Sequence, residues 1–404
     1  MKRRTLIQTA VMSYVVGLPT ISIAQRAEPF KIGALLPMSG GGAAFGAGMQ
    51  RAIQLATEEI NAAGGAAGRM LEVTYEDDQT RPEAGVLAAK KLIEVNKVSA
   101  VIGTWASSVT LAVMPMTDAA NIIEMNTSGA PAISTEDKKD LVWRFQGTTQ
   151  RTGAAYAEAL RKKGAKRVAV MAFNNAAGLG LAEGFRAAWL KSGNKVEAFI
   201  VYEPNRPSYR SELQQALAIK PDFIVACSYQ PDATILLREW YQSGDKVNWL
   251  FPTYAVNDEM VKSLDNQITD GIVTVDSLSN EGSPSYTVLA AKYKAATNLD
   301  LSGNIFAAMC YDMVMTLGLS IEQAGNNATT LQINSKIRDV VNPPGQKITG
   351  FAEGKALIAK KQKINYEGAS SRLDFDAFGD ASPDYAEFVI NGGKRVRTSI
   401  ITIL

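Results

Sequence analysis

From Phe30 onward, short apolar runs alternate with longer stretches whose apolar residues recur at helical spacing. Such runs read as strands buried on both faces, and the spaced stretches as helices that cover them. The first series places strands at Lys31–Pro37, Met70–Asp77, Ala100–Ile102, Ile122–Met125 and Leu141–Phe145. Helices fall at Gly46–Ala63, Pro82–Val95 and Ser107–Ala120. A second series follows, with strands at Arg167–Phe173, Lys195–Tyr202, Phe223–Cys227, Trp249–Pro252 and Ile272–Val275. Three helices are then predicted, Ser285–Thr297, Ile305–Ala324 and Thr330–Val341. The tail from Ala369 reads as short strands and turns, with a hairpin at Gly392-Gly393. Alternating βα order implies parallel sheets with helices on both faces, and two similar halves imply two lobes.

The stretch Ser99–Thr110 joins a buried strand, a tight turn and a hydroxyl-rich helix start. Serine is a preferred N-cap, since its hydroxyl accepts from free backbone N–H groups. Those N–H groups and the helix dipole also attract an anion. Ser107 and Ser108 therefore read either as plain caps or as the seat of a carboxylate.

In sheets of this kind ligands bind beyond the carboxyl ends of the strands. Here those ends include Pro37–Gly48, Gly103–Ser108, Asn126–Ala130, Cys227–Pro231 and Pro252–Asn257. The glycine run Ser39–Gly48 lacks the spacing of a dinucleotide loop. It reads instead as a turn that lets backbone approach a small ligand.

Charge adds an address. The chain of 404 residues carries 42 basic and 40 acidic side chains. Three of the basic ones, Lys2, Arg3 and Arg4, open a positive segment that precedes the apolar run Leu6–Ile23. Ser22-Ile23-Ala24 has the small-residue pattern of a cleavage site, so residues 1–24 are expected to be a signal peptide, cut near Ala24. The remainder is close to neutral, and no nucleic-acid partner is expected.

The sequence holds no histidine and two cysteines, Cys227 and Cys310. The first absence removes the usual general base and the commonest metal ligand. Both cysteines lie in apolar segments and read as buried and free. No metal, cofactor or catalytic residue is expected. Asp77-Asp78 reads as a strand-end turn, because neighbours on a strand face opposite ways.

Lys31–Gly40, Glu59–Gly68 (EINAAGGAAG), Tyr75–Asp78, Val101–Thr110 and Tyr366–Asp380 together resemble the exported leucine/isoleucine/valine-binding proteins of ABC importers. The resemblance implies the α/β fold of type I periplasmic binding proteins. That fold has two Rossmann-like lobes with parallel-type sheets, joined by a hinge of three crossovers. One lobe would comprise 30–146 and 278–366, the other 147–277 and 367–404. It further implies a non-catalytic, monomeric periplasmic receptor that closes around a small carboxylate or amino acid and passes it to a membrane permease. A ligand-sensing subunit and an exported carboxylate-based enzyme remain as alternatives.

By the same resemblance the carboxylate-binding serine falls on Ser107. A ligand-contacting loop falls on Thr127–Gly129, the far-lobe tyrosine on Tyr229 and an aromatic near the glycine run on Phe45. Trp105, in the turn before Ser107, would cover an apolar group. Packing alone would also account for these three rings. The family's acid for the ligand ammonium is replaced by Thr253, and a family aromatic by Ala177. The sequence therefore favours a carboxylate without an amino group, with Asp276 as an unplaced substitute acid.

Overall fold

The buried apolar runs become two sheets in the computed structural model, which describes residues 28–403. The expected signal peptide, 1–24, lies outside the described residues. Strands β1 (Phe30–Leu36), β2 (Leu71–Asp77), β3 (Ala100–Thr104), β4 (Ile123–Asn126) and β5 (Val142–Arg144) form an all-parallel sheet in the order β2-β1-β3-β4-β5. β6 (Val168–Phe173), β7 (Val196–Tyr202), β8 (Phe223–Cys227), β9 (Asn248–Pro252) and β10 (Val273–Leu278) are parallel in the second sheet. β11 (Gln346–Ile348) and β12 (Ile364–Tyr366) pair on their own. β13 (Asp384–Asn391) and β14 (Lys394–Ile401) complete the second sheet as an antiparallel hairpin beside β10. Gly392 and Gly393 turn that hairpin with φ of +57° and +70°, a region glycine enters without a Cβ penalty.

Helix Ile305–Ala324 lies along helix Ala43–Ala62 and buries almost its whole surface. Gly318 permits the approach, because a Cβ there would stand 2.6 Å from Ile60 Cδ1. By length and composition it is the one helix among the described residues able to span a membrane, yet here it is a core helix.

The chain crosses between the lobes three times. It leaves the first sheet after β5, leaves the second after β10, and returns to it before β13. The third crossing falls later than the sequence suggested. Residues 367–381, expected in the second lobe, are fastened to the first. Buried Asp312 accepts from the Tyr366 hydroxyl, the Ala369 and Ser370 amides and the Ser370 hydroxyl. Asn342 bonds both ways with the Phe375 backbone, and Phe375 packs on Trp143 and Phe145. These long-range bonds leave no local pattern to read.

The helix expected over Thr330–Val341 is broken into Thr330–Asn334 and Ile337–Val341. Between them the Asn334 side chain bridges Trp143 Nε1 and the Asp140 carbonyl, a tertiary demand that overrides propensity. Cys227 and Cys310 are buried and free, and burial pushes both thiols up.

Candidate functional site

The turn after β3 opens helix Ser107–Ala119 on Ala106, which is the N-cap; Ser107 is the first helical residue. Its hydroxyl does not cap the helix. Ser107 Oγ accepts from the Gly129 amide at 3.2 Å and the Ala130 amide at 3.1 Å. With its acceptor side occupied, the hydroxyl proton is left to donate. The Val109 and Thr110 amides are taken by the Ala106 carbonyl, but those of Ser107 and Ser108 have no carbonyl behind them and add positive potential at the same place.

The loop after β4 is fixed just as firmly. Ser128 Oγ meets Thr110 Oγ1 at 2.7 Å and donates to the Thr104 and Trp105 carbonyls. Arg144, buried beneath it, sends Nη1 to the Ser128 and Ala130 carbonyls at 3.0 Å each. Its Nε pairs with Asp380 at 2.7 Å, and Nη2 donates to Ser134 Oγ. Gly129 is therefore clamped on both sides, with its amide turned to Ser107.

A wall of rings crosses the cleft. Trp105 of the first lobe lies 4.8 Å from the Tyr229 ring of the second and 5.8 Å from Phe45. Phe306 stands edge-on to both Phe45 and Trp105, and Tyr254 edge-on to Trp105. The glycine run makes this closeness possible. A Cβ on Gly42 would stand 2.7 Å from Trp105, and one on Gly41 2.9 Å from Tyr229.

Behind the rings is an inner cavity of about 40 Å³ that touches Trp105, Ser107, Thr127, Gly129, Gln146, Thr149, Tyr229, Tyr254, Asp276 and Phe306. Asp276 is the one acid in it. Its Oδ1 accepts from the Ser277 amide at 2.8 Å and Gln146 Nε2 at 3.3 Å, while Oδ2 is buried without a partner. Burial pushes the carboxyl up to about 6, against those two bonds and the pull of Arg395. Gln146 Oε1 takes the Ser277 hydroxyl at 2.7 Å, so the first two crossings are bolted together beside the cavity. Thr127 Oγ1 and Thr149 Oγ1 are also buried without partners.

A second cavity, about 300 Å³, adjoins the first through Tyr254, Asp276 and Phe306. Thr253 and Phe45 line this one and not the inner one. The structure thus brings Trp105, Ser107, Thr127, Gly129 and Tyr229 together and leaves Ser108 outside, half-buried and on neither cavity. It also places Asp276, where the sequence could not. The acid that the sequence left unplaced thus stands in the cleft, carried by the crossover where β9 supplies only Thr253. Gln146, Thr149, Tyr254 and Phe306 were not singled out. Gln146 sits at a crossing, Thr149 and Phe306 at helix starts and Tyr254 in the turn after β9, and what each faces depends on the other lobe. One local sign was usable, Thr148-Thr149 opening a helix just after the first crossing.

Asp77 accepts from the Ser39 amide and hydroxyl, and Asp78 from the Thr80 amide, so the acid pair is the turn it was read as. Among the described residues no group of acids and cysteines is disposed to hold a metal.

The family model described as periplasmic binding protein matches residues 29–360. An "amino acid binding protein" of Pseudomonas aeruginosa is 25% identical over 80% of this chain and 85% of its own. The leucine-, isoleucine-, valine-, threonine-, and alanine-binding protein of the same organism is 27% identical over 77% and 82%. Among solved structures, the leucine binding protein LivK from Thermotoga maritima superposes with a TM-score of 0.78 at 24% identity, covering 92% of this chain and 98% of its own. A solute binding protein from R. palustris, in complex with benzoate, gives 0.76 at 20% identity over 92% and 96%.

Proposed function

The chain belongs to the periplasmic binding protein family, with the type I fold, and from that premise we propose that it is an exported, non-catalytic receptor for an α-amino acid, serving an ABC permease. The lobes would be 28–146 with 279–381 and 147–278 with 382–403, closing by rotation at the three crossings. The ligand carboxylate would take the Ser107 proton and the free amides of the helix start. Its ammonium would face Asp276. The observation that carries this reading is the lone acid, buried and one oxygen short of a partner, in the cavity that also holds Ser107. A buried cation needs such a partner, since an unpaired buried charge is expensive.

A second reading has its own support. The five-ring wall suits a flat acid, and a protonated Asp276 donates to a neutral oxygen, so a benzoate-type ligand without an amine also fits. An enzyme based on Asp77, Asp78 or Glu124 has little support. Asp77 is spent on its turn, Asp78 is fully buried with one oxygen on the Thr80 amide, and Glu124 is sealed under the sheet with Thr117 on one oxygen. A sensing subunit would share the ligand and differ only in its partner.

Calorimetry of leucine, benzoate and 4-methyl-2-oxopentanoate on the wild type and Asp276→Asn separates the two ligand classes. The proposal expects leucine to bind and the variant to lose it, with both amine-free acids weak. Tight benzoate binding that ignores the variant would overturn it.

A further inference from the structure

The inner cavity, about 40 Å³, is several-fold smaller than the second, about 300 Å³, and suits a head group, with the room for a ligand's body in the second. The body must extend into the second cavity, and the walls of that cavity are donor-rich. Arg395, on β14, has a side chain only 12% exposed. A guanidinium offers five N–H donors. Here one reaches the Ser302 carbonyl at 3.4 Å, and the group stands over the Phe388 ring. Its nearest acid, Asp258, is 3.6 Å away and 57% exposed, so water screens that pair.

Asn257 strengthens the pattern. Its Oδ1 is committed to the Met260 amide as the cap of helix Asp258–Ser263, which fixes the side chain. Its Nδ2 is buried with no acceptor, as is Thr253 Oγ1 beside it. Lys262 adds an exposed cation at the rim; of the two further acids there, Glu281 is paired with Arg397 at 2.6 Å and Asp276 stands at the junction with the inner cavity. Under-bonded donors on a closed wall call for an acceptor.

Resting on the amino-acid reading above, we propose that the second cavity seats the far end of the ligand, and that this end is a carboxylate held by Arg395 and Asn257. The ligand class is then an acid-tipped α-amino acid, bound in preference to leucine, isoleucine or valine.

Two matched pairs test it on the mature protein by calorimetry: 2-aminoadipate against norleucine, and glutamate against norvaline. The acid-tipped member should bind about tenfold tighter or more in at least one pair, as charge-assisted bonds require. Arg395→Gln should bring that ratio close to one. Asn257→Asp, which keeps the cap and adds a repelling charge, should do the same and guards against misfolding of the first variant. If norleucine and norvaline bind as well as their partners, and Asp276→Asn still abolishes them, the acid-tip assignment falls and the amino-acid reading stands. If no α-amino acid binds, both fall.

Discussion

The two faces of the cleft are built on opposite principles. On the first lobe most polar groups near the anion end are already engaged, with Thr127 Oγ1 the exception. Ser107 takes two amides, Ser128 is tied to Thr110 and two carbonyls, and Arg144 clamps the loop from below. On the second-lobe side Thr253 Oγ1, Asn257 Nδ2 and Asp276 Oδ2 are buried without partners, and Arg395 is under-bonded. A finished face holds its shape before a ligand arrives, so its contacts cost little ordering. An unfinished face carries desolvated groups that only a matching ligand satisfies. Affinity for a shared head group would thus come from the first lobe, and discrimination between ligands from the second.

The sharpest way to break this contrast is Arg144→Met. It strands Asp380 and frees the Ser128 and Ala130 carbonyls, and should cost about 3–5 kcal/mol of stability in denaturant melts. A loss near zero would mean that the first face is not held from below.

Asp276→Asn should do the reverse, leaving stability unchanged or higher while costing about 2–5 kcal/mol of amino-acid affinity. The same site gives a pH signature. With the carboxyl raised to about 6, an ammonium ligand should lose affinity as pH falls below that value. The phenols of Tyr156, Tyr254 and Tyr385 near Asp276 stay neutral there, because burial raises all three.

Ser107→Ala removes one charge-assisted bond and should cost about 1.5–3 kcal/mol of binding, read by calorimetry; it also strands the Gly129 and Ala130 amides and should lower the melt. Equal affinity would return Ser107 to a purely structural part.

The smallest effect concerns the empty protein. Asp276 and Glu124 are raised by burial, to about 6 and about 8. The fold therefore holds their protons more tightly than the unfolded chain does. Stability from these groups is present at low pH and is lost as pH rises through those values. The melting temperature should rise modestly from pH 8 to pH 5, and a fall would contradict the sign.

The legible parts of the molecule were those written in contiguous residues. Strand-turn-helix at Ser99–Thr110, the hairpin at Gly392-Gly393 and the acid turn at Asp77-Asp78 all follow from local spacing. Ser107 was found by that route, although its hydroxyl serves the next loop and not its own helix. Asp276 was named but could not be placed, and Arg395 escaped, because both are unremarkable strand residues until β10 and β14 bring them to one cavity. The placement of 367–381 escaped because it is decided by Asp312, Asn342 and Arg144, each distant in sequence. Thr253 was given weight as a missing acid, when the crossover supplied one.

The contact between Trp105 and Tyr229 also makes the molecule its own optical gauge. Trp143, Trp189 and Trp249 are sealed in the interiors of the lobes and Trp240 packs on Trp249, so their surroundings travel with them as rigid bodies. Trp105 alone among the five indoles has a neighbour ring on the opposite lobe, at 4.8 Å. Parting the lobes would admit water to that single chromophore. Emission wavelength would then follow the angle between the halves, with no label attached.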